Sequence, residues 1–234
     1  MINKLKLLTA TAVFSLLSAC GGGGGGVSGP VASTESFSLA KLWANMLTTP
    51  STNNVTIQGT FNSGVDPVTG SGTISYSNLS AGTFEGNPLQ KQTQTNAISL
   101  VSKGQTIPVN ETYTTWVDSN NTPKGESGGD DYIVVTTLGN LPSAARINDT
   151  GTAYTANRYA DSTKAVLRGT RTVSYLVEAD TASTALVSVI YEDKNTSNVT
   201  TNKSTQQLRI TPTGTFTRIK ETYVSTTTSL IITY

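Results

Sequence analysis

The chain contains no histidine and a single cysteine, Cys20. Any proton transfer or metal binding by its folded part would therefore fall to Asp, Glu, Lys and Tyr. The run Asp118 to Asp131 (DSNNTPKGESGGDD) sets Asp118, Glu126, Asp130 and Asp131 beside Asn120 and Asn121, an oxygen-only set of the kind Ca²⁺ prefers. Its spacing departs from an EF-hand loop, because Pro123 and Lys124 stand in the middle and Gly129 falls where the bidentate glutamate belongs. A solvated acidic loop is expected there, and no metal site is assigned. Glu178 and Asp180 flank a turn, and Glu192 returns toward them if the runs Val166–Ala179 and Ala185–Glu192 pair. Carboxyl groups about 5–9 Å apart are what a glycosidase needs, and they are equally the charged end of a hairpin. Asp193, Asn195 and Ser197 alternate oxygen side chains and read as a turn between strands.

Ser38-Leu39-Ala40-Lys41 matches the S-x-x-K pattern in which a lysine one helical turn away deprotonates a serine nucleophile. Ser119-Asn120-Asn121 mimics the second motif of such enzymes, but no Lys-Thr-Gly or Lys-Ser-Gly follows. Chance accounts for the match in a chain this rich in serine, so no catalytic residue and no cofactor is assigned. The chain reads as a binding or structural protein rather than an enzyme.

The elements that would position these residues are mostly strands. One helix is expected after Ser36 as candidate cap, with Leu39, Leu42, Trp43, Met46 and Leu47 on one stripe and Thr48-Thr49-Pro50 as its end. Its apolar stripe predicts packing on the sheet. From Val55 the period is two: Val55, Ile57 and Phe61 alternate with polar residues, as do Ile74 and Tyr76, while Ile107, Val109, Glu111 and Tyr113 share a face opposite Trp116. Further strands are expected over Thr83–Thr95, Ala97–Val101, Tyr132–Leu138, Thr152–Tyr159, Val166–Ala179, Ala185–Glu192, Thr205–Ile210, Thr215–Val224 and Ser229–Tyr234. Asp66-Pro67-Val68-Thr69-Gly70 and Thr211-Pro212-Thr213-Gly214 read as tight turns. The expected architecture is all-β, an antiparallel meander curled into a half-barrel or barrel with one short N-terminal helix. The segment 118–131 is the one long loop and a candidate boundary between subdomains.

The chain opens with Lys4 and Lys6 ahead of an apolar run from Leu7 to Leu17, the pattern of a secretory signal. Leu17-Ser18-Ala19-Cys20 resembles the lipobox of bacterial lipoproteins. That resemblance implies cleavage before Cys20, three acyl chains on it, and a membrane anchor. Residues 1–19 are then signal, 20–35 a lipidated, glycine-rich tether through Gly21–Gly26, and 36–234 the β-rich domain. Gly21 stands where many inner-membrane lipoproteins carry Asp, so the resemblance favours the outer membrane. Loss of Lys4 and Lys6 leaves 14 of 16 basic residues against 15 acidic ones, a formal −1 that offers nucleic acid nothing. With charged residues at only 13%, the surface is expected to be neutral and hydroxyl-rich, suited to a protein, glycan or lipid ligand. The sequence leaves two alternatives open: a carrier with an apolar cavity under a curved sheet, and a carboxylate-dependent envelope hydrolase.

If the lipobox reading holds, Cys20→Ser moves the protein out of the detergent-extractable membrane fraction and removes the acyl mass. Equal partitioning and equal mass shift for variant and wild type would refute it.

Overall fold

Alternating polar and apolar side chains after Pro50 build thirteen strands among the described residues of the computed structural model, which are residue 30 and residues 32–234. The signal region, Cys20 and the glycine tract lie outside the described residues. The strands are β1 (Ser51–Phe61), β2 (Asp66–Tyr76), β3 (Ser80–Phe84), β4 (Asn87–Ser102), β5 (Gln105–Val117), β6 (Pro123–Gly128) and β7 (Asp131–Leu138). They continue with β8 (Thr150–Tyr159), β9 (Leu167–Ala179), β10 (Ala185–Asn195), β11 (Thr200–Ile210), β12 (Phe216–Ser225) and β13 (Ser229–Thr233). Twelve of them close into an antiparallel barrel. The last strand, β13, pairs with the first, β1, from Thr56↔Thr233 to Thr60↔Ser229, and β2 pairs with β4 to complete the ring. β3 stands outside the ring as a short hairpin partner of the first half of β4. The expected meander is thus a closed barrel, with one sheet running through 118–131.

The helix α1 spans Leu39–Thr48 and lies across one end of the barrel. Its cap is Ser38, not Ser36: the Ser38 hydroxyl accepts the Lys41 backbone N–H at 3.3 Å. Thr49 donates its N–H to the Asn45 carbonyl and Pro50 prevents another turn. The segment leading into α1 bridges Phe37 to Ala145 in the β7–β8 connection, and Asn45 Nδ2 donates to the Gly214 carbonyl in the β11–β12 turn at 2.9 Å. Leu39, Leu42, Trp43 and Met46 point into the barrel mouth against Tyr154, Val177, Val187, Leu208 and Ile210. Trp43 meets the Tyr154 ring edge-to-face at 6.3 Å. A second apolar cluster, including Val55, Ile57, Val68, Ile74, Ile98 and Leu100, lies inside β1, β2 and β4.

Three local expectations change. The loop 118–131 contains the strand β6, in which Gly125 leaves room for the Phe84 ring that a Cβ there would meet at 2.2 Å. Asp66 to Gly70 is not a turn but the start of β2, and the chain reverses instead at Asn62-Ser63-Gly64, all with positive φ. Pro67 is tolerated because it lies one residue outside the β2–β4 ladder, which begins at Val68↔Ser102. The single run Thr83–Thr95 is broken at Glu85-Gly86, where φ of 52° and 74° makes the hairpin between β3 and β4, and β4 then continues unbroken through Ala97–Val101.

The outward face carries rows of hydroxyls, such as Thr56 beside Ser71 and Ser71 beside Ser99, with Thr52 and Ser75 hydrogen-bonded at 3.1 Å. No described helix is long and apolar enough to cross a membrane.

Because Trp43 is only 6% exposed, Trp43→Ala should lower unfolding stability by about 3–5 kcal/mol, read as an earlier denaturant midpoint. An unchanged midpoint combined with weakened vesicle binding would instead place this helix face against lipid.

Candidate binding site

Of the carboxylates singled out by the sequence, Glu126, Asp131 and Asp193 meet in one arginine-bridged network, whereas Asp118, Asp130, Glu178, Asp180 and Glu192 stand apart. Asp118 closes its own turn, accepting the N–H groups of Asn120 and Thr122 at 2.9 and 3.0 Å and pairing with Lys124. The Asp130 carbonyl accepts a hydrogen bond from Arg168. Asp131 pairs with Arg158 at 2.6 Å and Arg168 at 3.3 Å. No group of three Asp, Glu, His or Cys among the described residues is arranged to hold a metal.

Strands β9 and β10 do pair, but their register sets Glu178 opposite Leu186 and Glu192 opposite Thr172. The two glutamates are therefore six residues apart along the ladder, roughly 20 Å at about 3.3 Å per residue. Each has its own partner: Glu178 accepts from Ser188 at 2.6 Å and Glu192 from Thr200 at 2.7 Å. Asp180 is clasped by Arg209 at 2.6 and 2.9 Å and by Thr184, so its carboxyl is held below the ordinary value chiefly by Arg209. The Ser38 hydroxyl of the S-x-x-K match serves as the helix cap.

Glu126 is different. In β6 it faces the lumen, accepts the Tyr154 hydroxyl at 2.5 Å, and pairs with Arg171 at 2.6 Å. Arg171 also forks onto Asp193 at 2.7 and 2.9 Å, and the Arg158 Nε lies 3.5 Å from the same carboxylate. Burial, then the neighbouring Glu126 carboxylate, pushes the Tyr154 phenol up. Arg158 and Asp193 are among the most buried charged residues in the chain, and this network reads as a mutually neutralised filling of the lumen. Beneath the helix, between Trp43, Met46, Tyr154 and Glu126, only about 40 Å³ is left empty.

The site that sequence reasoning missed lies on β12 at the helix-side mouth. Along β11 and β12 the register slips between Gln207↔Lys220 and Leu208↔Arg218, leaving Ile219 as the extra residue of a bulge. Its carbonyl accepts the Tyr234 backbone N–H at 3.1 Å. The bulge reverses the inside–outside phase, so Arg218 and Glu221, three residues apart, both point inward. The Arg218 guanidinium sits 3.8 Å from the centre of the Tyr76 ring and 5.0 Å from that of Phe216. It is 8% exposed, and its Nε has no hydrogen-bond partner among the described residues. Glu221 accepts the Ser204 hydroxyl at 2.7 Å and the Tyr234 hydroxyl at 3.5 Å. Burial pushes the Glu221 carboxyl up, against the lowering by these hydroxyls, Arg218 and Gln206.

Arg218 opens onto a cleft of about 490 Å³ bounded by Asn45 and Thr49 of the helix end, Ser51 and Asn53 of β1, Thr215 of the β11–β12 turn, Phe216 and Thr217 of β12, and Tyr234. Such a volume falls within the range of small-molecule sites, and amides, hydroxyls, two aromatic rings and one cation are what it offers. A period-two reading of β12 puts Arg218 and Glu221 on opposite faces, and the only available signal was Arg218 itself, a charge in phase with Phe216. Comparison with protein-family models, with curated proteins and with solved structures finds no match.

A carboxyl raised by folding binds its proton more tightly in the native state, so its contribution is full below the ordinary value of 4.5 and is lost as pH rises through the folded value. Glu221→Gln should therefore gain stability relative to wild type between about pH 4 and about pH 8, measured by denaturant unfolding at both ends. A difference that shrinks or reverses with rising pH would show that the carboxyl is stabilised in its ionised form.

Proposed function

We propose that this chain is a lipid-anchored cell-envelope binding domain, which holds a small ligand at the helix-side mouth of its barrel and performs no chemistry on it. The observation that carries this reading is the open cleft of about 490 Å³, lined by unreacting amides, hydroxyls and aromatic rings around a cation. The carboxylate pairs a hydrolase would use point elsewhere and are occupied by Ser188, Arg209 and Thr200. Lipidation at Cys20 would place the domain on the envelope, with the outer membrane favoured by Gly21. Ser33, whose hydroxyl donates to the Ala182 carbonyl at 2.7 Å, ties the start of the domain to the same end of the barrel as the cleft. A tether of about a dozen residues with a flexible-coil reach of roughly 20 Å would keep that end near the lipid yet free to turn. A carrier of acyl chains is less well supported, because the space under the helix holds water-sized molecules rather than a chain.

The test presents the full-length chain with a panel of glycosidic, ester and peptide substrates, with and without Ca²⁺, while ligand-observed NMR follows binding of the same compounds. The expected result is at least one binder, no turnover, and loss of that binding in Ser51→Trp, which fills the mouth from the lumen-facing side of β1. Turnover, or binding that survives the filled mouth, would overturn the reading.

A further inference from the structure

We infer that the helix-side cleft takes an acidic sugar, a uronate whose carboxylate pairs in plane with Arg218 while its ring hydroxyls meet the Asn and Thr side chains of the mouth. The inference rests on the reading of this cleft as a binding site and names its ligand class.

The argument starts from the cation. Arg218 takes part in none of the ion pairs among the described residues, which engage Arg158, Arg168, Arg171 and Arg209. The nearest acid, Glu221, is satisfied by Ser204 and is itself favoured in its neutral form by burial. A guanidinium stays charged at any pH the protein meets, so Arg218 is a mostly buried charge that lacks a matching anion. The guanidinium carbon lies over the Tyr76 ring at 3.8 Å and the Phe216 ring at 5.0 Å, and the π faces of these rings cannot serve as hydrogen-bond acceptors for its full N–H fork. Strong new bonds must therefore come at its edge, where a planar two-oxygen acceptor fits the fork.

The rest of the lining selects among such acceptors. Among the described residues, Arg218 is the only charged side chain bounding the cleft, which suits a single negative charge better than a phosphate dianion or a diphosphate. Asn45 uses its Nδ2 on the Gly214 carbonyl, and Asn53 uses its own on Ser51 and Ile74, so each amide oxygen remains an acceptor for a ligand hydroxyl. Thr49, Ser51 and Thr215 add hydroxyls that both donate and accept. Phe216 and Tyr234 supply apolar surface for the C–H face of a pyranose ring. A monocarboxylate with a hydroxylated, ring-shaped body satisfies all three parts of the lining, whereas a fatty acid would leave the amides and hydroxyls unpaired.

Isothermal titration of the full-length chain in detergent compares glucuronate and galacturonate with their methyl esters, with glucose, and with succinate as a carboxylate lacking the sugar. The expected outcome is that a uronate binds at least about tenfold more tightly than its ester, than glucose and than succinate, which a charge-assisted bidentate pair plus hydroxyl contacts supports. Arg218→Met should bring the uronate down to the level of the ester, and Arg218→Lys should restore part of the difference. Asn45→Ala, at a half-buried position in the last turn of the helix, should weaken uronate and ester alike, and remains informative if the Arg218 variants fail to fold. An ester that binds as tightly as its acid overturns the inference. So does succinate that matches the uronate, which would leave an anion site without sugar recognition and the mouth-binding reading intact. Silence from every compound up to about 10 mM overturns the inference too, and the filled-mouth experiment with Ser51→Trp then judges the broader reading separately.

Discussion

Everything in this barrel depends on the ladder between β1 and β13, which joins the first strand to the last. An open sheet of this many strands would leave two rows of unpaired backbone groups, and closure removes both edges. It also creates a problem, because a ring of twelve strands encloses more space than a sequence with 36% hydrophobic residues can fill with apolar side chains alone. The protein fills the lumen in three ways. One apolar cluster lies under α1, a second lies inside β1, β2 and β4, and a set of interlocked charges occupies the space along β6 to β10. The charges are tolerable only because each arginine fork is matched by carboxylates at hydrogen-bond distance.

The same logic makes Arg218 the exception. Arg171 and Arg158 share Asp193, Glu126 and Asp131, while Arg218 has two aromatic rings and a carboxyl that burial favours as the neutral acid. One extra residue, Ile219, is responsible. Without the bulge, Arg218 and Glu221 would fall on opposite faces of β12, and one would be solvated on the outside. The bulge therefore converts an ordinary charged strand end into a cation at the mouth of the barrel, next to the helix that partly covers it. A closed barrel offers such openings only at its ends, since its wall is continuous backbone pairing.

The repeating pattern of the chain was legible because its signal is local. Leu39, Leu42, Trp43 and Met46 lie at helical spacing, and that is the face buried. Val55 and Ile57, or Ile107 and Val109, fall at every second position, and those are the lumen side, with Trp116 outside on the Phe84 ring as the alternation requires. Local composition misleads where glycine and proline suggest a loop or a turn. Gly125 is small because Phe84 needs its space, and Pro67 sits just beyond a ladder, neither of which a single strand can announce. The carboxylates were misjudged for a related reason: Glu126 looked solvated in a loop-like segment, and only the Arg171 side chain from a distant strand makes it part of the interior.

The sequence by itself determined that the chain is a β meander with one capped amphipathic helix, that it has no imidazole chemistry, and that its outward rows are hydroxyls. These follow from residue type and from periods of two and 3.6, which are set by the backbone geometry of a single segment. Tertiary structure alone decided that the meander closes, that Glu178 and Glu192 stand far apart on one ladder, and that Arg218 turns inward at the mouth. Each of those is a matter of register between strands, whether neighbours in the chain or its two ends, and a one-residue slip in register changes which face every following side chain occupies.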